Sequence, residues 1–374
     1  KTENAKHIFR WLATISGGSH GVESVLLNAN PVCEAFGNAK TVRNLNSSRF
    51  GKLVMVHFGV TGVLSGSSTS NFLLEQTRVC GPAADERNYH IFYQLLTGLS
   101  DAELQARHLG GAAPKDFRIL ASSKCVAIEG VDDRAEWRGT EAAMLALSFE
   151  AAEVTQVIDV VAAVLHLGNV AFEADASVKH RDGDSRVANM NAVAHAADLL
   201  GVEKLGLSTA LTKLLVRDEA ASLNVSRAGV NRDALVKALY NSLFDLIVRR
   251  INHYGREVAG GSVDATHFIG VLDIFGFEIF KTNSLEQLLI NFANEMLQRS
   301  FTLTTFHNEE GLYEREGIAF EHIPYVSNEA VLSLIDHKHH SPGLLQILEE
   351  ESRLPGKTDA TLLDKFTTAH STTT

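Results

Sequence analysis

The chain has 374 residues, 45% hydrophobic and 21% charged. That is enough apolar surface for two or more cored domains and too much for a disordered chain. A formal net charge of −11 lacks the basic excess of a nucleic-acid binder. Cys33, Cys80 and Cys125 are scattered with no CxxC pair. They suggest neither a disulfide framework nor a zinc site and fit a reducing, cytosolic setting. The most apolar window, 157–172, is interrupted by Asp159 and His166 and reads as too short to span a bilayer; no signal-peptide pattern stands at the start. The chain opens on Lys1-Thr2-Glu3 without an initiating Met and reads as an internal piece of a longer protein.

From 1 to about 15, Ala5, Ile8, Phe9, Leu12 and Ile15 recur at three- and four-residue spacing, which predicts an amphipathic helix. Lys-Thr at a helix start also closes the phosphate loop G-x-x-x-x-G-K-S/T. There the lysine neutralises β/γ-phosphate charge and the hydroxyl ligates magnesium. Only the last two letters of that motif are present, and alone they read as an ordinary exposed helix start. A glycine- and serine-rich loop, 16–21, ends the helix, and a second helix is predicted over 22–36. The polar run 36–52 then places Asn44, Asn46, Ser47, Ser48 and Arg49 within six residues. Two amides, two hydroxyls and a guanidinium can wrap an anion, or can make a hydrogen-bonded turn before the apolar strand 53–58.

The stretch 53–260 reads as mostly helical with short strands. Segments 72–79 and 89–96 are apolar on one face, 126–129 is a strand candidate, and 157–167 is a buried helix whose His166 reads as a core histidine rather than a ligand. The polar stretch 174–191 reads as an exposed excursion. A long helix is predicted to open at Asp233 and run to about Ile251, and 255–266 links it to the strand 268–272. That strand runs into Asp273-Ile274-Phe275-Gly276-Phe277-Glu278, the layout of a loop that reads the third phosphate of a nucleotide. Ser284 and Gln287 have capping-box spacing, and Leu285, Leu288, Leu289, Phe292 and Met296 continue a helical stripe toward Glu310. His337-Lys338-His339-His340 has no acidic or cysteine partner at ligand spacing and reads as a solvated turn.

The run Asn44 to Lys52 resembles switch I of the myosin motor domain, Lys1-Thr2-Glu3 the end of its phosphate loop, and 273–278 its switch II. Segments 22–26, 86–95, 130–133, 162–169 and 283–298 resemble further family stretches in the family's order, so the resemblance covers the chain to about Phe366. It implies an α/β P-loop NTPase motor core, mostly helical, with a central mixed sheet that is incomplete here. The division it implies is 1–52 as part of the nucleotide-binding core and 53–262 as an upper 50 kDa-like domain. Residues 263–374 would then hold switch II, a relay helix and the start of a lower 50 kDa-like domain.

The resemblance further implies Mg-ATP hydrolysis coupled to movement along actin filaments, in the cytoplasm on the cytoskeleton, with light chains or calmodulin bound by regions outside this stretch. Lys1 would neutralise phosphate charge. Thr2 and Ser48 would ligate Mg2+, with Asp273 acting through a water. Asn44 and Ser47 would hold phosphate or the attacking water, and the Gly276 amide would meet the γ-phosphate when the loop closes. Arg49 and Glu278, one in each switch, would latch the site and exclude bulk water. The stretch 213–227 matches a surface loop that touches actin in the family but departs from it in length and letters. The chain by itself is expected to be inactive.

Two alternatives differ in observable ways. A kinesin-type motor also carries Ser-Ser-Arg in switch I, but its switches lie close together, whereas 229 positions separate Asn44 from Asp273. A catalytically dead myosin-like scaffold or actin binder is disfavoured by the reactive switch side chains, and stays open because the phosphate-loop glycines do not stand in this sequence.

Overall fold

In a computed structural model, the structure describes residues 2–15, 20–175, 184–216, 219–260, 267–337, 342–354 and 356–371. Contacts group the chain into two compact units, Lys1–Ile274 and Phe275–Thr374.

The first unit opens with two helices, α1 (Thr2–Ile15) and α2 (His20–Gly37). In α1 the buried residues are Ala5, Phe9, Leu12 and Ala13, a stripe spaced by three and four as the periodicity predicts, while Ile8 and Ile15 face outward. Pro31 lies inside α2. Its missing N–H removes the bond that would close on the Leu27 carbonyl.

Three strands form the main sheet: β1 (Gly51–Phe58), β2 (Leu64–Phe72) and β3 (His267–Asp273), in the order β2-β1-β3. Every pairing is antiparallel, with Val54 opposite both Thr69 and Val271, and Lys52 opposite Asp273. The expected mixed sheet is therefore not what these strands make. β1 and β2 are joined by a tight connection that reverses the chain, and β3 returns alongside β1 in the opposite direction. The register delivers Asp273 to the same end of the sheet as Lys52, just beyond the 44–52 run.

The core of this unit is built around a 34-residue helix, Val225–Val258, which buries Val236, Tyr240, Leu243, Phe244, Ile247, Val248 and Ile251. It begins eight residues before the expected start at Asp233, because Asn224 caps it by accepting from Arg227 N at 2.9 Å. Before it, within the 213–227 stretch, Lys213–Val216 and Glu219–Ser222 pair as a short antiparallel ribbon. Tyr240 stacks on Tyr89 at 5.0 Å and donates to the Phe36 carbonyl at 2.8 Å. Phe244 meets Phe50 edge-on at 4.9 Å. Aromatic pairs of this kind add about 0.5–1.5 kcal/mol beyond the area they bury.

Phe50 also explains Gly37. A Cβ on Gly37 would overlap ring carbons Cδ1 and Cε1 of Phe50 and press on Phe244 at 3.3 Å. Gly37→Ala is expected to cost about 1–3 kcal/mol, the usual range for overpacking, and thermal melts of parent and variant measure it.

The helix Ala151–Gly168 is longer than the apolar window suggested. By length and composition alone it could cross a membrane, yet most of it is buried inside the unit. His166 is a core residue as expected, its Nε2 at 2.9 Å from the Arg107 carbonyl. Residues 126–129 form no strand. The three cysteines are free thiols.

In the second unit, Ser284 heads the helix Leu285–Thr302, and Gln287 Oε1 accepts from Ser284 N at 2.9 Å, the predicted capping box. The expected continuation toward Glu310 is interrupted by a π-helical turn at Leu303–His307 before the helix resumes as Asn308–Glu316. Gly317, with φ of +68°, ends it in the left-handed conformation that glycine adopts without strain. The His337 motif falls largely on 338–341, and the 174–191 excursion partly on 176–183, both outside the described residues.

Candidate functional site: a hydroxyl and carboxylate cluster beside a clamped loop

The loop after α2 is held by its own polar side chains. Asn38-Ala39 pairs antiparallel with Ser47-Ser48. Thr41 N donates to the Asn44 carbonyl at 2.8 Å, and Asn44 Oδ1 accepts from Asn46 N at 3.0 Å, an Asx turn at the loop tip. Asn46 is the loop's anchor. Its Oδ1 accepts from Asn38 Nδ2 at 2.9 Å and lies 3.1 Å from His90 Nε2, while its Nδ2 donates to Glu34 Oε2 at 3.2 Å. Burial, then the charges of Arg87 and Arg78, push the His90 pKa down to about 3. The ring is neutral at physiological pH, and a proton on Nε2 suits the Asn46 oxygen.

At the C-terminal end of this loop the structure brings together three residues drawn from far apart in the sequence. Thr2, in the first turn of α1, donates to Asp273 Oδ2 at 2.9 Å, and its Oγ1 lies 3.2 Å from Ser48 Oγ. Each is placed by a different element: α1 presents Thr2, the pairing of Ser47-Ser48 with Asn38-Ala39 presents Ser48, and β3 presents Asp273. Asp273 is only 4% exposed, and among the described residues no ion pair joins it, since the buried Lys52 opposite donates instead to Asn30 Oδ1 at 2.7 Å. A buried carboxylate without a cation partner is costly. Two hydroxyls and a carboxylate are also the hard oxygen donors that suit Mg2+. Sequence reasoning gave these three residues the metal, and the residues present fit it.

Ser47 and Arg49 are also brought together, with Arg49 Nη1 donating to Ser47 Oγ at 3.3 Å. Asn44 is exposed at the loop tip. Lys1 lies outside the described residues. Gly276 and Glu278 belong to the second unit. There Glu278 N donates to Asn291 Oδ1 at 2.8 Å, Asn291 Nδ2 returns a bond to the Glu278 carbonyl at 2.8 Å, and Gln287 Nε2 reaches Glu278 Oε2 at 3.4 Å. The helix after the loop thus grips the backbone at Glu278. Around Gly276 there is open space, with nothing within 4 Å of a built Cβ.

The sequence reading passed over two features. The first is Glu75, in a segment that reads only as apolar on one face although Glu75 and Arg78 stand at ion-pair spacing. Its Oε2 accepts from Arg49 Nε at 2.6 Å and from Arg78 Nε at 2.7 Å. Burial alone would raise the Glu75 carboxyl, yet the Arg78 and Arg49 guanidiniums outweigh it and hold it below the ordinary carboxylate value. The second is a cavity of about 520 Å³ between α1, the Pro31 turn of α2 and Asn46 of the loop. Lys6, Glu34, His90 and Asp133 are among its polar lining.

The whole chain, residues 1–374, matches the model of the myosin head (motor domain) family. It is similar to unconventional myosin-VIIb of Mus musculus, 42% identical over 375 residues that cover 99% of this chain and 18% of that protein. A similar match is made with myosin-I heavy chain of Dictyostelium discoideum, 42% identical over 99% of this chain and 16% of that protein. Unconventional myosin-Ic of Rattus norvegicus is 39% identical over 98% of this chain and 35% of its own length. The chain belongs to the myosin head family. It spans between about a sixth and a third of the length of these relatives.

Proposed function

We propose that this chain supplies the nucleotide-sensing part of an actin-based motor that hydrolyses Mg-ATP. The observation that carries the reading is the cluster of Thr2, Ser48 and Asp273. Only a fold that closes α1, the 44–49 loop and β3 on one another brings these side chains together, and their donor set is the one a nucleotide's magnesium asks for.

In this reading Thr2 and Ser48 would hold Mg2+, with Asp273 acting through a water, and the ion would supply charge neutralisation at the phosphates. Lys1 adds a second positive charge there. Asn44 and Ser47 orient phosphate or the attacking water, and the Gly276 amide meets the γ-phosphate. Arg49 and Glu278 close over it as an ion pair that keeps bulk water out.

Residues 1–52 then form part of the nucleotide-binding core, 53–262 the upper 50 kDa-like domain, and 263–374 switch II, the relay and the start of the lower domain. Asn291, on the helix that grips Glu278, ties loop movement to that helix, and the π-helical turn at Leu303–His307 is a place where it can bend. Phe268, Ile269 and Leu272 are 62%, 45% and 43% exposed on the edge strand β3. Such an apolar edge supports the reading that further strands complete the sheet. Light chains or calmodulin, and a place on the cytoskeleton in the cytoplasm, follow from the same reading.

The test is steady-state ATP turnover by the complete motor, with and without actin filaments. Turnover that requires Mg2+ and rises with actin is expected. Filament binding without turnover would instead identify a catalytically dead scaffold.

A further inference from the structure

The loop that carries Ser47, Ser48 and Arg49 is gripped along its length by residues 75–89, and the grip is ionic and buried. Glu75 Oε2 takes both guanidiniums, Arg49 at 2.6 Å and Arg78 at 2.7 Å. Arg78 Nη2 also donates to Glu86 Oε2 at 2.8 Å, and Glu86 Oε1 accepts from Val42 N at 3.2 Å at the other end of the loop. Backbone bonds frame the network: Glu75 N to the Arg49 carbonyl at 2.9 Å and Arg87 N to the Lys40 carbonyl at 3.0 Å. Tyr89 donates its hydroxyl to the Glu75 carbonyl at 2.8 Å. The four charged side chains are 1%, 11%, 4% and 5% exposed for Arg49, Glu75, Arg78 and Glu86. Two positive and two negative charges thus cancel inside the protein.

The geometry points to Glu75 as a positioning residue for the hydrolysis step, with Glu86 balancing Arg78 so that Glu75 stays committed to Arg49. A guanidinium is a rigid planar fork. Fixing its Nε therefore fixes the directions of both Nη groups, of which Nη1 donates to Ser47 Oγ. Because Arg49 and Arg78 share one carboxylate oxygen, neutralising Glu75 leaves two guanidiniums beside each other with Glu86 as the remaining carboxylate of the four-charge group. In a buried setting that repulsion is strong, and Arg49, at the loop's end, gives way. Leu73, two residues before Glu75, has φ of +53°, an uncommon backbone state for leucine at the turn out of β2. This inference rests on the role proposed above for Arg49.

The test uses the complete motor with Glu75→Gln, Glu86→Gln and Arg49→Ala, each checked for folding by its thermal melt. Binding of a fluorescent ATP analogue and single-turnover hydrolysis are measured separately. Glu75→Gln is expected to bind the analogue within about threefold of the parent and to hydrolyse about 10- to 100-fold more slowly, the loss typical when the partner that orients a functional group is removed. Glu86→Gln should show the same split more weakly. A folded Glu75→Gln variant that hydrolyses at the parental rate, or that loses binding and hydrolysis together, overturns the proposal. Should Glu75→Gln fail to fold, Glu86→Gln decides, and parental hydrolysis there overturns it. Slow Arg49→Ala beside parental Glu75→Gln removes only the role of Glu75, whereas parental Arg49→Ala removes the function proposed for Arg49 itself.

Discussion

In the complete motor, Glu278→Ala is expected to bind ATP with near-parental affinity and to lose its hydrolysis. Removing one partner of a buried ion pair costs about 3–5 kcal/mol. Expressed in the hydrolysis step that is a fall of roughly 10²- to 10⁴-fold. Arg49→Ala should fall at least as far, because it also takes one cation from the buried group around Glu75. Glu278→Ala is the cleaner variant, since Glu278 is not one of those four charges. Exchanging the two charges should restore only part of the activity, because a carboxylate at position 49 would stand against Glu75. The phosphate burst in a single turnover checks all three, and a parental burst from either single variant would remove the latch from the account.

The second large effect is expected at the hydroxyl and carboxylate cluster. Thr2→Val keeps the size of the side chain but removes the hydroxyl that lies between Ser48 Oγ and Asp273 Oδ2. Asp273→Ala removes the carboxylate instead. Each should weaken nucleotide binding about 10- to 100-fold when Mg2+ is present, the range for loss of a metal's ligand or of its outer partner. In excess chelator, parent and variants should bind alike. The comparison of the two titrations is the measurement. An equal loss with and without Mg2+ would mean that the cluster supports the fold and holds no metal.

How much of this was legible beforehand depends on where each signal is written. Elements with a strong local period stood out: α1, α2, β1, β3 and the helix at Ser284 all fall where apolar spacing and capping residues put them. The strand β2, with sequence Leu-Ser-Gly-Ser-Ser-Thr-Ser-Asn-Phe, has almost no apolar alternation to read. Its small side chains suit close packing instead: the backbone at Ser67 approaches Gly255 of the long helix, where a Cβ would meet the Ser67 carbonyl at 3.2 Å. Conversely, 126–129 has the β-branched residues of a strand but finds no partner strand. The early start of the long helix was hidden because its first turns carry few apolar residues and depend on the Asn224 cap.

The site divides in the same way. Thr2, Ser48 and Asp273 could be nominated from motifs, but their convergence depends on the register of β3 against β1, which no local pattern encodes. Glu75 was invisible as a functional residue for a related reason. An acidic residue three positions from an arginine is common on exposed helices, and only burial beside Arg49, 26 positions earlier, gives this one a role. Asn46 was noticed as one polar letter among several, and its three partners, Glu34, Asn38 and His90, come from tertiary packing.

The central claim, that Thr2, Ser48 and Asp273 form the metal end of a nucleotide site, is tested most directly by a crystal structure of the complete motor with Mg2+ and a non-hydrolysable ATP analogue. The account predicts the metal bound to Thr2 Oγ1 and Ser48 Oγ, with Asp273 one water away and its hydrogen bond from Thr2 rearranged to admit the ion. A metal held by other residues, with the Thr2 to Asp273 hydrogen bond unchanged, would contradict it.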